Sequence, residues 1–236
     1  MDPESVTPKL TTDVVVAALE QWLGNGGLGY DYTKIGKLLA TVDTARFVEG
    51  HMPTAPIHRT RKHLHLEALA ARRVPGLVME FGVAAGKSIN FLAEQLPSER
   101  IYGFDGFEGL PEDWLATHRA GHFAQALPEV RDNVELVVGW FDRTLPGFLD
   151  THPGDVSYLH VDCDLYSSTK TIFELLGPRI KPGTVIVFDE YFNYPTWRDH
   201  EHKAFVEFAQ ARNVGFRYLG AVRSKTQVSV VIESIG

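Results

Sequence analysis

The stretch Leu77-Val78-Met79-Glu80-Phe81-Gly82-Val83-Ala84-Ala85-Gly86-Lys87-Ser88 decides the fold. Leu77 to Phe81 reads as a strand, and it runs straight into two glycines. A helical stretch from Ser88 to Leu96 follows. Glycines at a strand-to-helix turn let the backbone bend and approach a ligand closely. The next strand, Arg100 to Phe104, runs into Asp105 about twenty residues on, where an acidic side chain can accept hydrogen bonds from ribose hydroxyls. A glycine pair alone satisfies backbone geometry in many folds, so Asp105 at this spacing carries much of the argument. Gly82, Gly86, Lys87 and Ser88 also resemble a phosphate-binding loop, G-x-x-x-x-G-K-[ST]. Only three residues separate the glycines here. The nest of amides around a phosphate depends on that loop length, so a nucleoside triphosphate site is disfavoured.

Downstream the same alternation continues. Val134 to Val138, Val156 to Val161 and Thr184 to Phe188 are short β-rich runs, interleaved with helical stretches Ser168 to Leu176 and Glu201 to Arg212. Strands alternating with helices predict a parallel sheet covered on both faces. Phe216 to Ala221 and Gln227 to Ile232, joined by a short polar turn, read as an antiparallel hairpin. The fold class is therefore α/β, Rossmann-like. Upstream, Asp13 to Leu23 reads as a helix capped by Thr12, and residues from about 30 to 57 are mixed, broken by Pro53 and Pro56. A second helix is expected from His58 to Arg72. Its His63 and His65 are two apart and point to different sides, which argues against a metal pair. Residues 1–73 are read as an N-terminal helical cap and 74–236 as the core, one domain overall.

Two further strand ends carry chemistry. Val138-Gly139-Trp140-Phe141 places aromatic rings where they either lie against an adenine or fill the core. The fourth strand of the series ends in Asp162-Cys163-Asp164 and the fifth in Asp189-Glu190. Alternation puts Asp162 and Asp164 on one side. Adjacent strands lie about 4.8 Å apart, so Asp162, Asp164, Asp189 and Glu190 share one small space. Such carboxylates repel one another unless protons or a cation join them. Oxygen-only ligands favour a hard cation, Mg²⁺ foremost. Helix capping explains one or two of these acids, not four at two strand ends. Cys163 is the only cysteine, and without a Cys-His-Asn/Asp arrangement it reads as a packed residue. His200 and His202 are site-edge residues of unassigned role.

A chain of 236 residues suits one domain with one sizeable core. The net charge of −7 gives no bulk attraction to nucleic acid or to an anionic membrane. No apolar run approaches the roughly 20 residues that span a bilayer. Met1 to Thr12 shows no signal pattern, and the single cysteine allows no intrachain disulfide. A cytoplasmic protein is the simplest reading.

At these residues the chain resembles the macrocin O-methyltransferase family, which methylates sugar hydroxyls of antibiotics. The matching segments begin with Glu80 to Val83 with Gly86, and Gly103 to Pro111. Further matches are Gly139 to Phe141 with Thr144 to Pro146, then Asp162 to Thr169, the most specific, and Asp189 to Tyr191. The resemblance covers roughly residues 74 to 210. It implies a class I methyltransferase fold with a seven-stranded sheet ending in an antiparallel hairpin. It implies S-adenosylmethionine as donor, a homodimer, Asp162, Asp189 and Glu190 as Mg²⁺ ligands, and Asp164 as general base. Glu190 departs from the family's frequent aspartate, and Lys87 stands where a small residue is common. The donor-site candidates are Glu80, Gly82, Gly86, Ser88, Asp105, Gly139, Trp140 and Asp162. The implied chemistry is coherent: a cation on two adjacent oxygens lowers a hydroxyl pKa, and a carboxylate removes the proton as the oxygen attacks an activated methyl. The acceptor is expected to be a small molecule, contacted by the N-terminal third and by loops such as Tyr191 to His202. A catechol-type acceptor, a nucleoside-triphosphate enzyme and a non-catalytic adenosyl-binding module are the alternatives.

Overall fold

The computed structural model of the chain describes residues 17, 21–24 and 29–236. The helix expected over Asp13 to Leu23 lies largely outside them. The elements in chain order are α1 (Tyr32–His51), β1 (Ile57–His58), α2 (Arg61–Ala70), β2 (Leu77–Phe81), α3 (Lys87–Gln95), β3 (Ile101–Asp105) and β4 (Val134–Val138). They continue with α4 (Phe141–Thr151), β5 (Val156–Val161), α5 (Tyr166–Leu176), β6 (Val185–Phe188), α6 (Glu201–Ala211), β7 (Gly215–Val222) and β8 (Val228–Ser234).

The strands form one sheet in the order β1-β7-β8-β6-β5-β2-β3-β4. From β4 to β6 every pairing is parallel, whereas β8 runs antiparallel to both β6 and β7. Chain order reverses between β2 and β5, because β3 and β4 extend one way and β6 the other. In open α/β sheets such a switch point leaves a crevice at the carboxyl ends of the strands. The central strands have no exposed face: every residue of β2, β5 and β6 is buried. This explains their nearly unbroken apolar runs.

One face of the sheet is covered by α4, α5 and α6 through Leu145, Phe148, Ile172, Phe173 and Phe205. The other is covered by α2 and α3 through Leu64, Ala68, Ile89 and Leu92. The expected two-sided α/β architecture with its terminal hairpin is therefore present, but the sheet holds eight strands among the described residues, not seven. The extra strand is the two-residue β1, whose Ile57 and His58 pair in parallel with Ala221 and Val222 at the sheet edge.

Two helices go beyond the sequence reading. Residues 32–51, within the stretch expected to be mixed, form α1, opened by Asp31, whose carboxylate accepts the amides of Thr33 (3.0 Å) and Lys34 (3.3 Å). Its apolar residues do not lie on one stripe: Leu38, Leu39 and Val42 face solvent, while Ala40, Thr44 and Phe47 are buried. That is why periodicity missed it. Helix α4 contains Pro146, which a sequence reader takes as a stop; Leu145 and Phe148 nevertheless bury one face of it.

Candidate active site

The cleft at the switch point has a volume of about 840 Å³. Its floor begins at Gly82. Gly82 has φ +91°, and a Cβ there would stand 1.7 Å from the carbonyl oxygen of Asp162. Only glycine lets the end of β2 pass so close to the end of β5. Gly86, at φ +74°, opens α3 in the left-handed conformation. Across the turn, Asp105 Oδ2 accepts the amides of Val83 and Ala84, both at 2.8 Å, and Oδ1 accepts that of Phe107 at 2.7 Å. Asp105 thus ties the glycine turn to the end of β3. It lines the cleft, and Oδ1, which accepts a single amide, retains acceptor capacity for a ligand hydroxyl.

Of the two aromatic residues after β4, Trp140 lines the cleft, its ring 3.6 Å from where a Gly106 Cβ would be. Phe141 also lines the cleft while its ring packs edge-on against Phe81, 5.1 Å between centroids. Gly139 shapes the turn, its amide donating to Asp105 O at 3.0 Å. Glu80 and Ser88 lie beneath the floor. Ser88 Oγ donates to Glu80 Oε1 (2.9 Å), and Glu80 Oε2 pairs with His160 Nδ1 (2.8 Å). Glu80 is fully buried.

The structure brings all four predicted acids together. One ligand atom each from Asp162, Asp164 and Glu190 lies within 4.8 Å of the others. A second group, His160, Asp162 and Asp189, does the same. Asp162 belongs to both groups, and the predicted set of Asp162, Asp189 and Glu190 is divided between them. Asp164 sits at φ +63° in a three-residue turn closed by Leu165 N to Cys163 O at 2.6 Å. Non-glycine residues seldom hold this conformation, and they concentrate at functional sites. Burial pushes the Asp164 carboxyl up to about 7, against the lowering effect of a hydrogen bond with Glu190 and with a further push from Asp189. Burial likewise raises Asp162 and Glu190, each helped by the Asp189 charge. Asp189 Oδ1 and Glu190 Oε2 are buried without a hydrogen-bond partner. Orphaned carboxylate oxygens among other carboxylates are what a cation would satisfy, so the residues present fit a divalent ion.

Three contributors escaped the sequence reading. Arg61, the first residue of α2, lines the cleft and pairs its Nη1 with Asp189 Oδ2 at 3.2 Å. Glu201, the first residue of α6, is fully buried, and its Oε2 accepts the Glu190 amide at 3.0 Å. The sequence marks it only as the start of the helical stretch Glu201 to Arg212. The long β3–β4 connection supplies the outer wall through Gly109, Leu110, Pro111, Trp114, His118 and Phe123. No periodic signal in that stretch pointed to the site. Conversely, no residue from Tyr191 to His202 lines the cleft, contrary to expectation. His202 packs among Phe47, Tyr191 and Trp197 instead. The ring of His200 stands edge-on to Trp114 at 6.2 Å. His63 is exposed and His65 buried, as their spacing required. Cys163 is buried, its thiol pushed up by burial, as befits a packed residue.

Together, a doubly wound sheet with a terminal antiparallel strand and a glycine-turn cleft at its switch point give the chain the fold of the class I methyltransferases. Residues 79–191 match a methyltransferase domain family. One relative, 8-demethyl-8-(2,3-dimethoxy-alpha-L-rhamnosyl)-tetracenomycin-C 4'-O-methyltransferase of Streptomyces olivaceus, is 32% identical over 151 residues, covering 53% of this chain and 57% of the relative. Another, demethyldecarbamoylnovobiocin O-methyltransferase of Streptomyces niveus, is 29% identical over 172 residues, covering 61% and 64% respectively. The chain thus spans less than two thirds of the length of these curated relatives. Among solved structures, a calicheamicin methyltransferase superposes with a TM-score of 0.56 at 22% identity, covering 96% of this chain and 87% of that one. The O-methyltransferase NovP gives the same TM-score and identity over 73% and 80%. Among the described residues, no helix is long and apolar enough to cross a membrane.

Proposed function

We propose that the chain transfers the methyl group of S-adenosylmethionine to a hydroxyl of a sugar borne by a small natural product, with a divalent cation at the acid cluster. The observation that carries this reading is the juxtaposition in one cleft of a donor-type end, Gly82, Asp105 and Trp140, with the cluster Asp162, Asp164, Asp189 and Glu190. The names of the curated relatives, both sugar- or antibiotic-directed O-methyltransferases, support the choice of acceptor.

Gly82, Gly86 and Gly139 shape the backbone around the donor, and Asp105 accepts its ribose hydroxyls. Trp140 offers its face to the adenine. Glu80 and Ser88 hold the turn from below. Asp162, Asp189 and Glu190 would hold the cation, which when bound lowers the pKa of an acceptor hydroxyl and fixes its orientation. Asp164 takes the hydroxyl proton as the oxygen attacks the methyl carbon and the carbon–sulfur bond breaks, leaving S-adenosylhomocysteine. Arg61 and the 109–123 wall shape the acceptor end. In this reading residues 1–73 act as a cap, since α1 packs Phe47 against Trp197 and Arg61 reaches the cleft.

Calorimetry with S-adenosylhomocysteine and with ATP tests the donor. The expected outcome is micromolar binding of the first and far weaker binding of the second. Tight ATP binding with no response to S-adenosylhomocysteine would overturn the reading. Turnover on a sugar-bearing acceptor should stop in excess EDTA; undiminished turnover would make the acid cluster structural.

A further inference from the structure

His160 lies on β5 two residues before Asp162, so both side chains leave the strand on the same side. Its side chain is 1% exposed. Nδ1 lies 2.8 Å from Glu80 Oε2, a carboxylate that is itself fully buried and bonded on its other oxygen to Ser88. An ionised carboxylate only accepts, so Nδ1 carries a proton toward Glu80, and in the tautomer with that single proton Nε2 presents its lone pair. Nε2 is buried and has no hydrogen-bond partner. The atom it faces, Asp189 Oδ1, is 4.0 Å away and is also buried without a partner. That gap is too wide for a hydrogen bond. Two lone-pair carriers left facing one another in a dry interior call for a positive charge between them.

Ligand bonds of about 2.1 Å place two donor atoms of one ion about 3.0 Å apart when adjacent and about 4.2 Å apart when opposite. The 4.0 Å separation falls inside this range. Asp162 supplies a third atom within the 4.8 Å group. Arg61 already holds Asp189 Oδ2, which leaves Oδ1 for the ion. The chain Glu80–His160 also has the form that orients metal-bound imidazoles, a carboxylate accepting from the far ring nitrogen.

From this geometry we propose that His160 Nε2 is a direct ligand of the divalent cation shared with Asp162 and Asp189. The site is thereby mixed nitrogen and oxygen, and it selects Mn²⁺ or Fe²⁺ over Mg²⁺, because imidazole suits first-row transition ions whereas Mg²⁺ keeps to oxygen. The proposal rests on the divalent-cation part of the reading above. It gives Glu80 and Ser88 a definite job, setting the tautomer of a ligand rather than touching the donor.

The full chain loaded with Mn²⁺ and studied by pulsed electron paramagnetic resonance is the direct test. Nitrogen coupling to the ion is expected, shifting to the ¹⁵N pattern when the protein is labelled with ¹⁵N-histidine. In His160→Gln the coupling should vanish, and the ratio of Mn²⁺ to Mg²⁺ affinity by calorimetry should fall about tenfold or more. Unchanged S-adenosylhomocysteine binding would show that the variant is folded. Mn²⁺ bound by the wild type without nitrogen coupling overturns this inference and leaves the cation reading standing. No saturable binding of either ion overturns the cation reading and this inference with it.

Discussion

Asp164 shows how much one residue is asked to do. It is held at φ +63°, where a side chain is tolerated only if its surroundings over-determine it. The turn sets its carboxyl within reach of Asp162 and Glu190. In the cation-free site burial pushes its carboxyl up to about 7, and an adjacent cation would favour the ionised form that a general base needs. Asp164→Asn keeps the shape and cannot take a proton. We expect donor binding nearly intact and kcat lower by about 10²–10⁴. The acidic limb of the wild-type pH–rate profile should be missing from the variant. Turnover like the wild type would move the role elsewhere. Asp105→Ala should be costly in two ways, because three amides lose their acceptor as well as the ribose. S-adenosylhomocysteine affinity should drop by about 1–3 kcal/mol, and Tm should fall too. A variant with lowered affinity but unchanged Tm would mean that the turn holds itself.

Elements in this protein meet at single contacts that tolerate little change. Strands β2 and β5 converge where Gly82 passes the Asp162 carbonyl, and a methyl group there would overlap backbone at 1.7 Å. Gly82→Ala should therefore destabilise by more than about 3 kcal/mol or prevent soluble expression, since neither strand can shift without moving the core. A stable variant that still binds donor would show that the strand ends part easily. Helix α1 docks through Phe47 onto Tyr191, Trp197 and His202. Burial, aided by the Arg198 charge, holds His202 down to about 4, so the native state keeps it neutral. Below the unfolded value near 6.5 the unfolded chain takes up a proton that the native chain refuses. This contribution is therefore whole above about pH 6.5 and is lost as pH falls toward about 4. His202→Phe fills the same aromatic cluster without titrating. The fall in Tm between pH 7 and pH 5 should be smaller in the variant than in the wild type. An equal fall would show that the ring leaves its cluster before it titrates.

For the whole molecule, the acid cluster makes the folded state costly on its own. Asp162, Asp164, Glu190 and Glu201 all have their pKa raised by burial first and then by the Asp189 charge or other neighbouring carboxylates. A bound cation offsets this in the native state alone, and at a hundredfold excess over Kd the gain is about 2.7 kcal/mol. Thermal unfolding should shift upward on adding divalent cation, and Asp162→Asn, which removes the residue shared by both ligand groups, should abolish the shift. No response in the wild type would leave the cluster a proton-sharing structural network.

Sequence by itself determined the strands β2 to β6, the terminal hairpin, the switch-point turn and the four acids. These follow from local pattern: a buried strand must be apolar, a tight turn needs glycine, and strand ends carry the chemistry. It did not disclose α1, whose buried stripe of Ala40, Thr44 and Phe47 is masked by the exposed Leu38, Leu39 and Val42, nor α4, interrupted by Pro146. It could not pair Glu80 with His160, 80 residues apart, or Arg61 with Asp189. Nor could it show that Glu201 holds the Glu190 amide or that the 109–123 connection, rather than Tyr191 to His202, walls the cleft. Those contacts belong to no local period. They exist because packing the helices on the two faces of the sheet brings remote side chains to the carboxyl ends of β5 and β6, and only the tertiary structure decides which of them meet.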